Sequence, residues 1–232
     1  MGRLITRYFA REHEIIVCDR SASPKEIRAL GARSATLQEA CRQDVVIPCV
    51  PIAAFEGLIK DMRGLLRADA LVIDICSVKE HPVRVMKRLL PKSVQILGTH
   101  PTFGPDSAAE SLRGRKLIVC KVRIDKERYG GIKKILERKG LEIVELSPRD
   151  HDRKMAASLV LTHFIGRALL DYGAKSTGVD TEGYQRLLRI LQTVQNDSWQ
   201  LFEDMNHYNA YAAVMRRRFL QSMRVIDRRV AA

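Results

Sequence analysis

Short apolar runs rich in β-branched residues, each parted from the next by a stretch with helical spacing, constrain this chain more than any other feature. They lie at Glu14–Asp19, Asp44–Val50, Ala70–Ile75, Val94–Gly98, Lys116–Lys121 and Leu141–Leu146. Helix-like spacing falls over Pro24–Leu30, Ile52–Leu66, Pro82–Leu89 and Tyr129–Arg138. A strand that is apolar on successive residues is covered on both faces, and strands separated by helices join through crossovers into a mostly parallel sheet. The expected fold is α/β: a doubly wound, Rossmann-like sheet.

Beyond Ser147-Pro148 the texture changes. Asp150–Gly173, Thr181–His207 and Tyr208–Val230 read as long helices, and no strand pattern recurs. The expected division is a sheet domain over residues 1–148 and an all-helical domain over 149–232. About 80 residues of helix with broad apolar faces make a thin core, so packing against a second copy of the chain is expected.

With 46% hydrophobic residues the 232-residue chain has enough apolar material for a genuine core. No run of about 18 apolar residues is present to span a bilayer, and the opening MGRLITRYFAREHE places charges where a signal peptide needs an apolar stretch, so a cytoplasmic protein is expected. The five cysteines form no CxxC pair and read as reduced core residues; with the six histidines they supply no zinc spacing, so no metal is expected. The formal charge of +13 raises nucleic acid as a partner. Its densest patch, Arg216, Arg217, Arg218, Arg224, Arg228 and Arg229, alternates with Val214, Phe219, Leu220, Met223 and Ile226, which read as the buried face of an amphipathic helix. A solvated helix face is therefore preferred over a nucleic-acid site, and a basic surface also attracts small polyanionic substrates.

The residues that carry chemistry cluster where strands end. Glu14-Ile-Ile-Val-Cys-Asp19 ends in a carboxylate, which either binds the adenosine ribose hydroxyls or forms a turn. As a ribose ligand it favours NAD over NADP, because a carboxylate repels a 2′-phosphate; Arg20 beside it leaves NADP open. The segments Asp74-Ile-Cys-Ser77-Val-Lys79 and Gly98-Thr-His100-Pro-Thr-Phe-Gly-Pro105 each begin at the carboxyl end of an expected strand, the edge where open α/β sheets bind ligands. His100 fits either a stiffly held general base or a turn histidine.

These two segments, in this order, resemble the prephenate/arogenate dehydrogenase family of tyrosine biosynthesis, with its D-x-x-S-V-K and G-[ST]-H-P pieces. Leu146-Ser-Pro-Arg-Asp-His151-Asp152 with Met155-Ala-Ala-Ser158-Leu-Val-Leu-Thr-His163-Phe is similar to the family's passage into its helical dimerisation domain, and Tyr184-Gln-Arg186-Leu-Leu to the helix that presents a substrate-binding arginine. The resemblance implies an NAD(P)-dependent oxidative decarboxylation of prephenate or arogenate by a homodimer. It implies His100 as the base on the substrate hydroxyl and Ser77 as a partner of that hydroxyl or of the nicotinamide, with helix capping as Ser77's ordinary use. It implies Arg186 as a carboxylate clamp, against a surface pair with Arg189. His163 reads as substrate contact or core histidine, and Lys79 as a loop-orienting or substrate-binding residue or as a solvated lysine. Val50-Pro51, closing a strand, would line the nicotinamide side.

Gly2-Arg-Leu-Ile-Thr-Arg-Tyr-Phe-Ala resembles the helix after the dinucleotide fingerprint, with Gly2 as its last glycine. The first strand and the earlier glycines are then expected upstream of Met1, and the chain as written is expected to bind NAD poorly. Two other readings stay open: a dehydrogenase of a related small acid such as 4-amino-4-deoxyprephenate, and a non-catalytic nucleotide- or nucleic-acid-binding relative.

Overall fold

The computed structural model describes residues 1–231. Their elements run α1 (Gly2–Phe9), β1 (Ile16–Val17), α2 (Pro24–Ala29), β2 (Arg33–Ser34), α3 (Leu37–Cys41), β3 (Val45–Val46), α4 (Ile52–Met62), β4 (Leu71–Asp74), α5 (Glu80–Leu89), β5 (Gln95–Pro101), β6 (Lys116–Arg123), α6 (Lys126–Arg138) and β7 (Glu142–Glu145). Then come α7 (Pro148–Met155), a π-helical turn (Ala156–Val160), α8 (Leu161–Tyr172), α9 (Glu182–Gln195), α10 (Trp199–Tyr208) and α11 (Ala212–Val230). The chain forms two compact units, Met1–Pro148 and Arg149–Ala232.

The first unit is the expected Rossmann-like α/β fold. Five strands lie in the order β3-β4-β5-β6-β7, parallel at every pairing except β5 with β6. That exception has a local cause. Residues 102–115 join β5 to β6 without a helix, whereas the crossover that returns a strand parallel to its predecessor is usually helical. Leu71, Val72, Ile96, Leu97, Val119 and Cys120 are at most 1% exposed, as strands covered on both faces require. On one face Leu4 of α1 and Tyr129 of α6 join Leu71, Leu97, Leu117 and Val119 in a single apolar cluster.

β1 pairs in parallel with β2 in a separate two-stranded sheet, and among the described residues no strand ladder joins β1 to β3. Both are shorter than the runs Glu14–Asp19 and Asp44–Val50, since a strand persists only where a neighbour takes its hydrogen bonds. β2 has no apolar run to announce it. Ser23 and Thr36, each with a glutamate three residues on, close capping boxes that start α2 and α3.

In the second unit the expected helices are broken. Asp150–Gly173 is interrupted by the π-turn, and Thr181–His207 divides where Ser198 accepts a hydrogen bond from the Leu201 amide and starts α10 afresh. The small core holds Val160, Met205 and Ala212. The reading of α11's apolar residues as buried is corrected within the chain: Val214, Leu220, Met223 and Ile226 are 43–57% exposed, because no described element of the unit covers them. Two cysteines, Cys18 and Cys49, are exposed and three are buried, so not all of them are core residues.

Candidate active site

The site begins at one rung of the sheet. Asp74, the last residue of β4, pairs in register with Gly98 of β5, and both strands then run toward the candidate residues: Ser77 three positions on, His100 two positions on. His100 does not stand in a loop after a strand. β5 continues to Pro101 and pairs His100 with Ile118 of β6, so the antiparallel ladder fixes its backbone and it is only 6% exposed. Stiffness is thus greater, and water access less, than a loop position would give.

Ser77 lies between β4 and α5. The helix cap is Lys79, not Ser77. The Ser77 Oγ is buried and has no hydrogen-bond partner, a situation that costs about 1–3 kcal/mol unless a ligand group satisfies it. Lys79 is no solvated lysine: it is completely buried, and its ammonium is bonded to the Asp74 carboxylate. Burial pushes the Asp74 carboxyl up, against the pull of Lys79 and of the Cys76 amide. An aspartate and a lysine five residues apart face each other only once the loop folds back, so periodicity alone does not pair them.

The residues expected to meet a dinucleotide are Gly2, Asp19, Arg20, Val50 and Pro51. Gly2 opens α1 so close to the β3–α4 segment that a Cβ there would stand 3.3 Å from the Cys49 Cβ. Val50 and Pro51 follow that segment, four and five residues beyond the end of β3, with Pro51 capping α4. The Asp19 Oδ1 accepts from the Ser21 amide (2.8 Å), the Ala22 amide (2.8 Å) and the Ser21 hydroxyl (3.0 Å), which hold its carboxyl below the usual range. One oxygen of Asp19 thus makes the turn, while Arg20 is exposed.

The second unit carries His163 and Arg186. His163 on α8 is 4% exposed; its Nε2 lies 3.5 Å from the Asp197 Oδ2 and its Nδ1 has no partner. Burial lowers its pKa, partly opposed by Asp197. Arg167, one turn along, donates to the Asp197 carbonyl, stacks over Trp199 at 5.5 Å and leaves its Nε buried and unpartnered. Sequence reading missed Arg167 and Asp197; the i, i+4 spacing from His163 was the available signal. Arg186 is exposed and shares the Glu182 carboxylate with Arg189, at 3.0 and 3.3 Å. Among the described residues no group of three His, Cys, Asp or Glu side chains is placed to hold a metal ion, and no helix is long and apolar enough to cross a membrane.

Comparison with known proteins decides the family. The model described as "Prephenate dehydrogenase, nucleotide-binding domain" matches residues 2–145. The chain belongs to this family. A second model, "TYRAAT1-like, C-terminal domain", matches residues 168–232. Among relatives of this prephenate dehydrogenase family chain, arogenate dehydrogenase 2, chloroplastic, of Arabidopsis thaliana is 34% identical over 91% of the chain and 62% of its own length. A probable arogenate/prephenate dehydrogenase of Methanocaldococcus jannaschii is 26% identical over 82% and 44%. The chain thus spans less than two thirds of either relative. In fold it is similar to a prephenate dehydrogenase from A. aeolicus, solved with hydroxyphenyl propionate and NAD+ (TM-score 0.77, 22% identity, 100% of this chain and 87% of that one). It is likewise similar to Synechocystis arogenate dehydrogenase (TM-score 0.73, 20% identity, 99% and 87%).

Proposed function

We propose that the chain is an NAD-dependent dehydrogenase that oxidatively decarboxylates prephenate or arogenate, with NADP as the alternative cofactor. The observation that carries the reading is the buried, unpartnered Ser77 hydroxyl on the loop beyond Asp74, a hydrogen-bonding group open to a ligand, with His100 held by a ladder on the adjoining strand. A nicotinamide held here would supply the hydride acceptor for the ring carbon that bears the hydroxyl. Neutral His100 takes the hydroxyl proton as that carbon becomes a carbonyl; the ring carboxylate then leaves as CO2, its bonding electrons run through the ring to the carbonyl oxygen, and that oxygen takes a proton back to give the phenol, so the ring is aromatic and the step irreversible. Ser77 holds the hydroxyl or the nicotinamide amide, and Arg186, with His163, meets a substrate carboxylate.

The division of labour follows the two units: residues 1–148 take the dinucleotide, with Gly2, Asp19, Arg20, Val50 and Pro51 along its path, and residues 149–232 take substrate and a second copy of the chain. The bare apolar stripe of α11 supports the homodimer. Small carboxylates, rather than nucleic acid, suit the basic surface. The cytosolic setting is supported by five free cysteines, as a reducing compartment keeps them.

The test is spectrophotometric: NADH or NADPH formation with prephenate and with arogenate. His100→Asn is expected to keep substrate affinity within a few-fold while turnover falls by roughly 10²–10⁴, the usual contribution of a positioned base. Near-normal turnover in that variant would remove His100 from the mechanism.

A further inference from the structure

Asp74 is 0% exposed and has no part in the chemistry just described, yet three of its contacts reach the residues around that chemistry. Its Oδ1 accepts from the Lys79 ammonium and from the Cys76 amide at 2.9 Å, so it grips the loop on both sides of Ser77. Its backbone carbonyl accepts from the Thr99 hydroxyl at 2.7 Å, the residue immediately before His100. Its other oxygen lies over Gly98 without a polar partner; a Cβ at 98 would stand 3.3 Å from it and equally close to Cys120 and Val83.

We propose that Asp74, with Lys79, is a positioning residue: it locks the Ser77 loop and the His100 strand to each other so that the two groups meet one hydroxyl. Stability alone is a weak reason for the pair. Two charges are desolvated to form it, and matched apolar residues often serve as well or better. What apolar residues cannot do is tie Cys76 and Lys79 to one side chain at fixed hydrogen-bond geometry, on the same residue whose backbone carbonyl holds Thr99. Lys79 therefore acts on the substrate through Asp74 and the loop. The small gap left for Gly98 agrees, because a side chain there would push against the carboxylate.

The proposal rests on the function proposed above for its kinetic arm only. The full chain is compared with the charge-neutral pair Asp74→Asn/Lys79→Met, and with Thr99→Val, which cuts the link to His100 without touching a charge. Turnover is expected to fall about tenfold to hundredfold, as misplacement of a reacting group by an ångström does, while KM for the substrate stays within about twofold. The nitrogen NMR signals of His100, identified by their loss in His100→Asn, are expected to shift or broaden in both variants. A folded double variant with wild-type turnover and an unchanged His100 spectrum would overturn the proposal. If the double variant does not fold, Thr99→Val decides by the same two readouts. If the unaltered chain turns over neither substrate, the functional reading fails, and the His100 spectrum still decides whether Asp74 positions that ring.

Discussion

Arg186 stands 74% exposed on α9, with its Nε 3.0 Å from the Glu182 carboxylate. An exposed pair of this kind contributes about 0–1 kcal/mol to stability, so Arg186→Ala is expected to leave the melting temperature nearly unchanged. As a carboxylate clamp, its loss weakens substrate binding by about 2–4 kcal/mol and raises KM without moving cofactor affinity. Steady-state kinetics decide: an unchanged KM returns Arg186 to the surface pair and makes Arg189 the next residue to test. Glu145 supplies a pH prediction. Hydrogen bonds from Lys121 at 2.7 Å and from the Tyr129 hydroxyl at 2.5 Å, with Lys133 nearby, pull its carboxyl down to about 2. A carboxyl lowered by folding stabilises the native state above its ordinary pKa and loses that contribution as pH falls from about 4.5 toward 2. Glu145 is a third exposed, so after solvent screening about 1 kcal/mol is a fair figure. Denaturant melts of Glu145→Gln should show that deficit at neutral pH and none near pH 2; a gap that persists in acid would assign the effect to packing.

Among the elements, the contact of α8 with α9 depends on one glycine. A Cβ at Gly166 would lie 2.7 Å from the Val194 Cγ2, closer than real Cβ atoms approach, and 3.0 Å from its Cγ1, tighter than most. Gly166→Ala therefore forces the helices apart, although alanine is the better helix former by about 1 kcal/mol. A net loss of roughly 1–3 kcal/mol is expected, the usual range for overpacking, read as a lower melting temperature. A gain in stability would mean that the two helices are not held this close. The same elements differ in how legible they were. Leu71–Asp74 and Lys116–Arg123 declare themselves as apolar runs because both faces are covered. Arg33–Ser34 has no such run and exists only because β1 lies beside it. The breaks at Ala156–Val160 and Ser198 fall inside continuous helical periodicity, which a π-turn barely disturbs.

At the scale of the molecule, α11 is the feature left unfinished within one chain. Leu220, Met223, Ile226 and Val230 lie 43–79% exposed at helical spacing along it. Apolar stripes of this kind mark association surfaces, and closed pairs are their commonest form. The chain is expected to run as a dimer in sedimentation equilibrium, and Met223→Glu/Ile226→Glu to run as a monomer. A monomeric unaltered chain would sink the proposed dimer without touching the site on the sheet.

The sequence by itself determined the α/β class, the change of texture near residue 148 and the family, because each is written in local patterns: apolar runs, helical spacing and short ordered motifs. It also picked out Ser77 and His100 as the residues at strand ends. Tertiary structure decided the rest. It placed His100 within a ladder rather than a loop, turned Lys79 inward onto Asp74, engaged one Asp19 oxygen in its own turn and left the apolar stripe of α11 bare. Each of these depends on a partner distant in sequence or on a loop that folds back. Periodicity records which way a side chain faces along its own element, not what stands opposite it.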